Sequence, residues 1–230
     1  MVSPDELLED EIIVQGRAYG HLFRSRRLTT GAEVRLVDGL GAARFSRVVE
    51  VSGTSARFEV GAAAPANEPD KLVELLVPIP RSSRLAWMVE KATEIGVSAI
   101  RLIHSERAPR GSAGQRLDRL RRIAVSAVEQ SQRSVLPEIS GVHAFAEIGG
   151  LLEGVPERWF LHQGDTPSSH VAGEGRAALL VGPEGGWSAD ELATFEALGC
   201  RRMRLGPTVL RIETAAVVGC AGLLSGGGAR

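Results

Sequence analysis

Short runs of apolar and polar residues fill the first quarter of the chain. Within residues 11–60, four segments rich in Val, Ile and Phe are separated by Gly, Asp and Ser, and Asp38-Gly39 is a turn dipeptide. Strands at this spacing predict a small β-barrel. The next segment, 61–70, is small, polar and proline-containing, which predicts a linker. The four predicted strands are EIIVQG, GAEVRLVDG, ARFSRVVEV and SARFEV.

After the linker the pattern changes to strands that alternate with helices. Residues 72–79 are a continuous apolar run, as in a strand buried on both faces, and apolar residues in 82–95 recur at the spacing of an amphipathic helix. Ser188 and Glu191 form a capping box that begins another helix, which Gly199 ends. This alternation predicts a mostly parallel sheet covered on both faces. The other predicted strands are 97–103, 158–162, 177–181 and 201–205, and the other predicted helices are 116–131 and 211–224.

Composition is that of a soluble globular protein. The chain has 230 residues, 43% hydrophobic and 24% charged, and no apolar run approaches the roughly 20 residues that span a bilayer. Its first residues are acidic and lack the basic and apolar regions of a signal peptide. Cys200 and Cys220 lie in apolar surroundings, which predicts buried thiols and no disulfide framework. We therefore expect a cytoplasmic protein.

Arginine is unevenly distributed in a chain whose net charge is −1. Of its basic residues 25 are Arg and 2 are Lys; residues 17–27 carry four Arg and no acid, and residues 101–133 carry eight Arg and three acids. Because arginine presents a planar fork to phosphate and can stack on bases, both segments are candidates for RNA contact. The alternative is that the arginines reflect genome composition and lie on solvated faces.

Two predicted strands of the second region end in the same way. The strand at 177–181 continues into Gly182-Pro183, and the strand at 201–205 continues into Gly206-Pro207. Glycine lets a ligand approach the backbone closely, and proline stiffens the loop. Because α/β sheets bind ligands at the C-terminal ends of their strands, the two loops together predict a site for a flat heterocycle such as adenine. The alternative is two ordinary turns.

Other ligand motifs are absent from the sequence. There is no G-x-x-x-x-G-K-[ST] phosphate loop, no G-x-G-x-x-G that opens a helix after a first strand, and no G-x-S-x-G. The five histidines show no pairing at metal-ligand spacing, and there is no cysteine cluster. We therefore predict no metal site.

Two segments carry a resemblance to a known family. LLVGPEGGWSADEL (179–192) and LGPTVLRIETAA (205–216) resemble the signature loops of the knotted (SPOUT) methyltransferase superfamily, and within it those of the ribosomal RNA small subunit methyltransferase E family. The similarity extends over most of the chain and is looser near the N-terminus. Further similar segments are Met88–Val97, Ser105–Arg107, Glu129–Ser131 with Arg133, Pro137–Ile139, His21–Arg24 and Gly31–Val34.

The resemblance implies an architecture and an activity. It implies a small β-barrel, PUA-like RNA-binding domain over residues 1–68 and a C-terminal α/β trefoil-knot methyltransferase domain over residues 71–230, working as a homodimer. The implied reaction transfers a methyl group from S-adenosylmethionine to N3 of a uridine in the decoding region of small-subunit rRNA, which is uridine 1498 for the family. The product of the donor is S-adenosylhomocysteine, and the implied partner is small-subunit rRNA or the assembled 30S subunit, with no membrane and no metal.

The family's functional residues transfer to matching positions of this chain. Arg211 is the candidate cation that stabilises negative charge on the uridine oxygens, with a structural pair to Glu213 or Glu184 as its alternative. Glu213 and His162 are the candidates for a general base. The residues expected to bind the methyl donor are Leu161, His162, Gln163, Val181, Gly182, Pro183, Glu184, Gly185, Gly186, Leu205, Gly206, Pro207, Val209, Leu210, Arg211 and Thr214. The residues expected to contact RNA are Arg17, Arg24, Arg26, Arg27, Arg81, Arg84, Arg107 and Arg133.

Three positions depart from the family pattern. Ile212 stands where the family often has Thr, and Arg81 and Arg84 stand where it commonly has Lys. Arg and Lys differ in geometry, so the departure bears on contacts with RNA.

Two other functions stay open at this stage. One is a ribose 2′-O-methyltransferase of the same superfamily, and the other is a non-catalytic rRNA-binding assembly factor. The intact Gly-Pro loops argue against the second, because a protein that only binds RNA has no need of a donor pocket.

Overall fold

The computed structural model describes residues 1–25, 27–80, 82–108, 117–164 and 175–225. It divides into two compact units: the first comprises Met1–Glu68 with Gln132–Leu136, and the second comprises Pro69–Ser131 with Pro137–Arg230. None of the helices in these ranges combines the length and the apolar character that crossing a membrane requires.

The first unit is built on one antiparallel sheet of four strands, and these lie in the four segments that the sequence predicts as strands. Its strands lie in the order β1-β4-β3-β2, and every neighbouring pair is antiparallel. The last strand continues to Ala63, so the first three residues of the predicted 61–70 linker belong to the sheet instead. The strands are β1 (Glu11–Gln15), β2 (Glu33–Val37), β3 (Ala43–Val51) and β4 (Ser55–Ala63).

A helical segment that the sequence pattern does not predict comes after β1. It runs from α1 (Gly16–Tyr19) into a π-helical turn over Gly20–Ser25. Tyr19 is buried against the sheet's apolar face, its ring stacks on Phe23 at 4.9 Å, and its hydroxyl donates to the Ser52 carbonyl at 2.5 Å. The segment therefore closes one side of the core that the alternating strand residues leave open.

The second unit contains a six-stranded sheet in the order β10-β8-β9-β5-β6-β7. All five neighbouring pairs are parallel, which confirms the predicted sheet type. Strand β7 is not predicted by the pattern, and β10 is shorter than the predicted 201–205. The arrangement is consistent with the knotted fold that the resemblance implies, and the knot itself stays a prediction. The strands are β5 (Leu72–Pro78), β6 (Ala99–Ile103), β7 (Glu138–His143), β8 (Glu157–Leu161), β9 (Arg176–Leu180) and β10 (Arg201–Met203).

Helices of this unit lie where the 3.6-residue pattern predicts them, except for one short helix, α4. Ser188 caps α5 as expected, because its hydroxyl accepts from the Glu191 amide at 3.3 Å and the Glu191 carboxylate accepts from the Ser188 amide at 2.8 Å. Gly199 comes after α5 with φ of +69°, the left-handed conformation that glycine favours. The helices are α2 (Ser82–Glu94), α3 (Leu117–Ser131), α4 (Ile148–Leu151), α5 (Ala189–Ala197) and α6 (Ile212–Ser225).

The last helix, α6, lies close to the sheet. It packs against β5, β9 and α2, and a Cβ atom at Gly219 would come within 2.6 Å of the Leu179 side chain. A larger residue at this position would push α6 away from β9. Because α6 begins at Ile212, its close packing fixes the end of the loop that leaves β10.

Candidate functional site

The C-terminal ends of β8, β9 and β10 surround a cavity of about 620 Å³. In parallel sheets this edge is where ligands bind, because the loops that leave the strands open there. The volume lies in the range of small-molecule sites, roughly 300 to 1,000 Å³. The lining residues are Arg84, Arg107, Leu161, His162, Gln163, Val181, Gly182, Pro183, Glu184, Gly186, Trp187, Met203, Arg204, Leu205, Gly206, Thr208, Val209, Leu210, Arg211, Ile212 and Ala215.

The first loop, Gly182–Trp187, packs against the side chain of its own last residue, Trp187. A Cβ atom at Gly182 would approach the Trp187 ring to 3.0 Å, so any side chain there would press against the ring. The indole Nε1 donates to the Leu161 carbonyl at 3.1 Å, and the ring meets Phe195 edge-on at 4.8 Å. The loop is thereby bound to the end of β8 and to α5, and its backbone faces the cavity.

The loop is also bound through the start of α5. The Glu191 carboxylate, which is buried, accepts from the Ser188 amide at 2.8 Å and from the Glu106 amide at 3.0 Å. A second link runs from the Arg107 guanidinium to the Gly185 carbonyl at 3.2 Å. The segment after β6 therefore supports the first loop at two points.

The second loop, Gly206–Arg211, is largely exposed. Val209 is 80% exposed, and the Arg204 Nε donates to the Gly206 carbonyl at 3.1 Å. The Gln163 side-chain amide donates to the Thr208 carbonyl at 3.4 Å, a long hydrogen bond. Both Gly-Pro loops nevertheless line the same cavity, which is the arrangement that their shared sequence pattern predicts.

Arg84 from α2 forms ion pairs with two acidic residues at the cavity wall. Its guanidinium binds the Glu184 carboxylate through Nη1, and its Nε lies 3.7 Å from Oε1 of Glu213. Glu213 is buried in the first turn of α6, and its Oε2 has no hydrogen-bond partner among the described residues. Arg84 therefore bridges the first loop and the N-terminus of α6.

Arg211 has a different environment from Arg84. Its side chain is exposed at the cavity, and the described part of the chain contains no hydrogen bond or ion pair to its guanidinium. The sequence also allows a structural pair with Glu213 or Glu184. In the structure Arg84 contacts both of those carboxylates instead. The Arg211 guanidinium is therefore available to a ligand.

His162 contributes a second unpartnered polar atom. The residue comes directly after β8 and lines the cavity, and its Nδ1 is buried without a partner among the described residues. Because a buried polar atom costs free energy when it makes no hydrogen bond, an unpartnered atom at a cavity wall is a natural contact for a ligand or a water molecule.

Most residues expected to bind the methyl donor border this cavity. Gly185, Pro207 and Thr214 are not among its lining residues, and neither is the candidate base Glu213. Arg84 and Arg107, expected to contact RNA, line the cavity. Lining residues that sequence reasoning does not identify are Trp187, Met203, Arg204, Thr208, Ile212 and Ala215. Of these, Trp187 carries a signal, because it stands directly after the first Gly-Pro-Glu-Gly-Gly run.

The remaining arginines expected to contact RNA fall into three groups. Arg26 and Arg81 lie outside the described residues, as do the side chains of Arg17 and Arg24. Arg27 is exposed. Arg133 has a different environment: its side chain is only 4% exposed and its Nη2 donates to the Glu68 carboxylate at 2.6 Å, so its guanidinium is held in an ion pair away from solvent.

The two cysteines are free and buried, as predicted. Burial raises the pKa of the Cys220 thiol to about 12 and also raises the pKa of Cys200. In the described ranges, no group of three or more His, Cys, Asp or Glu side chains is arranged to hold a metal ion.

Comparison with known proteins gives a consistent result. A family model described as an RNA methyltransferase domain matches residues 67–224, and one described as an RNA methyltransferase PUA domain matches residues 14–61. The chain is 34% identical to the Ribosomal RNA small subunit methyltransferase E of Mycobacterium bovis, covering 93% of this chain and 86% of the relative. It is 27% identical to the protein of that name from Synechocystis, covering 96% and 75%.

Solved structures agree with the sequence matches. The crystal structure of the Ribosomal RNA small subunit methyltransferase E from Neisseria gonorrhoeae, bound to S-adenosyl methionine, superposes with a TM-score of 0.83 at 26% identity and covers 94% of this chain and 91% of that one. The N-terminal unit is accordingly a PUA-like domain, and the parallel-sheet unit is the α/β methyltransferase domain. The chain belongs to the ribosomal RNA small subunit methyltransferase E family.

Proposed function

We propose that this protein transfers the methyl group of S-adenosylmethionine to N3 of a uridine in small-subunit ribosomal RNA. The observation that carries the proposal is the cavity of about 620 Å³ between the two Gly-Pro loops, in a chain of this family. The uridine and its N3 atom come from the family resemblance, whereas the donor cavity and its charged wall belong to this chain's own residues.

The cavity suits the methyl donor. Leu161, Val181 and Leu210 supply apolar walls for the face of an adenine ring, and the backbone of the two loops supplies donors and acceptors for its edge. Gly182 has no side chain, so a ligand can approach the loop backbone closely. The Trp187 ring lies against the position that a Cβ atom would take. The buried Nδ1 of His162 offers a further polar contact. When bound, S-adenosylmethionine supplies an electrophilic methyl group attached to a sulfonium.

Arg211 is the residue that favours a nucleophilic uridine. N3 carries a proton near neutral pH, and the base becomes a good acceptor when that proton leaves for solvent or a base. A cation beside O2 or O4 stabilises the negative charge that results. The Arg211 guanidinium is exposed at the cavity and is not bound to Glu184 or Glu213, which Arg84 contacts. Holding the acceptor nitrogen in line with the methyl group supplies the rest of the acceleration.

Glu213 and His162 remain the candidates for the base that receives the N3 proton. Each has one buried polar atom without a partner among the described residues, Oε2 in Glu213 and Nδ1 in His162. His162 lines the cavity, whereas Glu213 is not among its lining residues. The histidine is therefore the better supported of the two.

The target uridine has to be unpaired when it reacts, because N3 lies on the Watson–Crick edge of the base. The PUA-like unit and the exposed arginines are proposed to hold the surrounding RNA, in naked rRNA or in the assembled 30S subunit. Contacts to phosphate predict affinity that falls steeply with salt. Arg27→Ala is expected to reduce the salt dependence, whereas Arg133→Ala is expected to act on stability, since Arg133 is buried with Glu68.

A homodimer is also proposed. Two large apolar side chains remain exposed on neighbouring helices of the methyltransferase unit: Trp87 on α2 is 43% exposed, and Val218 on α6 is 44% exposed. Contiguous exposed apolar patches mark sites of protein association, and we propose that these two side chains belong to one such patch. Sedimentation of the wild type against Trp87→Glu tests this surface, and unchanged mass would remove it from the proposal.

The decisive experiment is methylation of 30S particles and of naked rRNA by the purified protein. Nuclease digestion and mass spectrometry then identify the modified atom. A methylated uracil base supports the proposal, and a methylated ribose assigns the 2′-O activity instead. If the protein binds S-adenosylhomocysteine but forms no methylated product, the proposed acceptor is wrong. Failure to bind S-adenosylhomocysteine in calorimetry would leave only the non-catalytic function.

The role of Arg211 is tested separately. Arg211→Ala is expected to lower kcat strongly while the affinity for S-adenosylhomocysteine changes by less than about tenfold, roughly 1.4 kcal/mol. Arg202→Ala, which removes an exposed arginine paired with Glu196, is the control. Equal losses of turnover and donor affinity would show that Arg211 builds the donor pocket.

A further inference from the structure

Three charged side chains from separate elements meet beside the cavity. Arg84 comes from α2, Glu184 from the first loop and Glu213 from the first turn of α6. Arg84 is 27% exposed and Glu213 is 11% exposed, whereas Glu184 is 66% exposed. The buried carboxylate therefore anchors the guanidinium, and the guanidinium in turn holds the exposed carboxylate.

The arrangement concerns Arg211 because the chain places it near both acids. Arg211 precedes Glu213 by two residues, and it lines the same cavity as Glu184. A carboxylate bound to Arg211 would occupy its donors and neutralise its charge. Glu184 is the acid with the freedom to do so, since most of its side chain is in solvent, whereas Glu213 is held in the helix.

We infer that Arg84 is a positioning residue, which keeps the Glu184 carboxylate away from Arg211 and so leaves the Arg211 guanidinium free for the substrate. The inference rests on the proposed function, in which Arg211 stabilises the uridine anion. Arg84 itself is paired with the two carboxylates, and in this proposal it acts on the reaction without being the cation that faces the uridine. Its contribution to the reaction passes through Glu184 and Arg211.

A merely structural role for Arg84 makes a different prediction. If the only role of Arg84 is to connect the first loop to α6, its loss loosens the loop. Removing the charge of Glu184 as well cannot restore that connection, so kcat would not recover. If Arg84 instead keeps Glu184 from Arg211, the same second change removes the competitor. The sign of the change in kcat when Glu184→Gln is added to Arg84→Gln therefore distinguishes these roles.

The experiment measures kcat with saturating RNA and the dissociation constant of S-adenosylhomocysteine for the wild type and five variants. Arg84→Gln is expected to lower kcat by about 10- to 100-fold, the range of a hydrogen bond to a charged group, with donor affinity changed by less than about tenfold. Adding Glu184→Gln to Arg84→Gln should raise kcat by at least about tenfold. Arg84→Lys, which keeps the charge, should retain most of kcat.

Arg107 provides the matched control. It also lines the cavity and supports the same loop, through the Gly185 carbonyl at 3.2 Å, but no ion pair to Glu184 is seen among the described residues. Adding Glu184→Gln to Arg107→Gln should therefore give no gain in kcat. Thermal unfolding of each variant checks the fold, and Arg84→Met replaces Arg84→Gln if the latter does not fold.

The outcomes separate the inference from the function on which it rests. A gain on adding Glu184→Gln in the Arg84 background, without one in the Arg107 background, supports the inference. No gain, or equal gains in both backgrounds, overturns it while wild-type transfer leaves the proposed function standing. A wild-type protein that methylates no uridine overturns both.

Discussion

The two Gly-Pro loops begin alike and end in different environments. Gly182–Trp187 is held by a buried tryptophan, by the capping box of α5 and by Arg84 and Arg107. Gly206–Arg211 has an exposed valine at its centre and a long hydrogen bond from Gln163. Both line one cavity, yet the first forms a fixed wall and the second an exposed rim.

The difference shows how a similar turn can serve two roles. The residues after each Gly-Pro decide its role: the first loop passes through the exposed Glu184–Gly186 into the buried Trp187 and a capped helix, whereas the second has no buried side chain between Gly206 and Arg211. A fixed wall holds a cofactor in one geometry without a cost at the moment of reaction. An exposed rim can adjust when RNA arrives, and it carries Arg211.

The largest expected effect comes from removing the support of the first loop. Trp187→Ala deletes a side chain that is 6% exposed and contacts Gly182 and Phe195. We expect a loss of about 3 to 5 kcal/mol in the free energy of unfolding, as for other buried aromatic truncations. Urea denaturation monitored by circular dichroism measures it.

Val209→Ala in the second loop is the control for that truncation. Because Val209 is 80% exposed, its removal should change stability by less than about 0.5 kcal/mol. Similar losses for the two variants would contradict the distinction between a wall and a rim.

A smaller effect is expected from crowding the first loop. Gly182→Val places methyl groups where even a Cβ atom would lie 3.0 Å from the Trp187 ring. Overpacking of this kind costs about 1 to 3 kcal/mol, and the displaced backbone should weaken S-adenosylhomocysteine binding in calorimetry. Thr208→Val exchanges a hydroxyl for a methyl group of similar size in the exposed loop and should leave stability and S-adenosylhomocysteine affinity nearly unchanged. A comparable loss there would contradict the distinction between a fixed wall and an exposed rim.

The next effect concerns the junction between the first loop and α5. Glu191→Ala removes the carboxylate that accepts from the Ser188 and Glu106 amides, both of which lose their partner. Losing a cap of this type costs about 0.5 to 2 kcal/mol. Glu196→Ala on the same helix removes an exposed acid paired with Arg202 and should cost less. Thermal unfolding compares Glu191→Ala with Glu196→Ala. An equal shift in Tm would mean that the Glu191 hydrogen bonds stabilise the protein no more than an exposed ion pair does.

Local sequence patterns predict the secondary structure and the turns of this protein, because neighbouring residues determine them. The strands β1–β6, β8 and β9, the capping box at Ser188 and the paired Gly-Pro loops are expected from periodicity and turn chemistry. Strand β7 is missed because its segment, EISGVH, contains glycine and lacks the apolar run of its neighbours. The α1 segment is missed because its helical stretch is brief and glycine-rich and its role is to cover the core.

Contacts between distant residues cannot be predicted in this way. The sequence leaves Arg211 with two possible acidic partners, and nothing local indicates that Arg84, about a hundred residues earlier, takes both. The local charge around Arg133 predicts an RNA surface, but Glu68 and the packing of residues 132–136 bury it. Charge alone does not distinguish a solvated arginine from one held in a tertiary ion pair.

The smallest expected effect is a difference in amide exchange between the two loops. The Gly186 amide donates to the Pro183 carbonyl at 2.9 Å and the Ser188 amide to Glu191 at 2.8 Å, so both should exchange slowly. Amides of Thr208–Arg211 lie on exposed chain and should exchange at least about tenfold faster by local opening. Hydrogen exchange with mass spectrometry should show this gap in the free protein and a narrower one with S-adenosylhomocysteine, because a ligand that contacts the rim suppresses its opening. Equal protection of the two loops without ligand would mean that both are fixed walls, and Arg211 would then have to meet the uridine on a preformed surface.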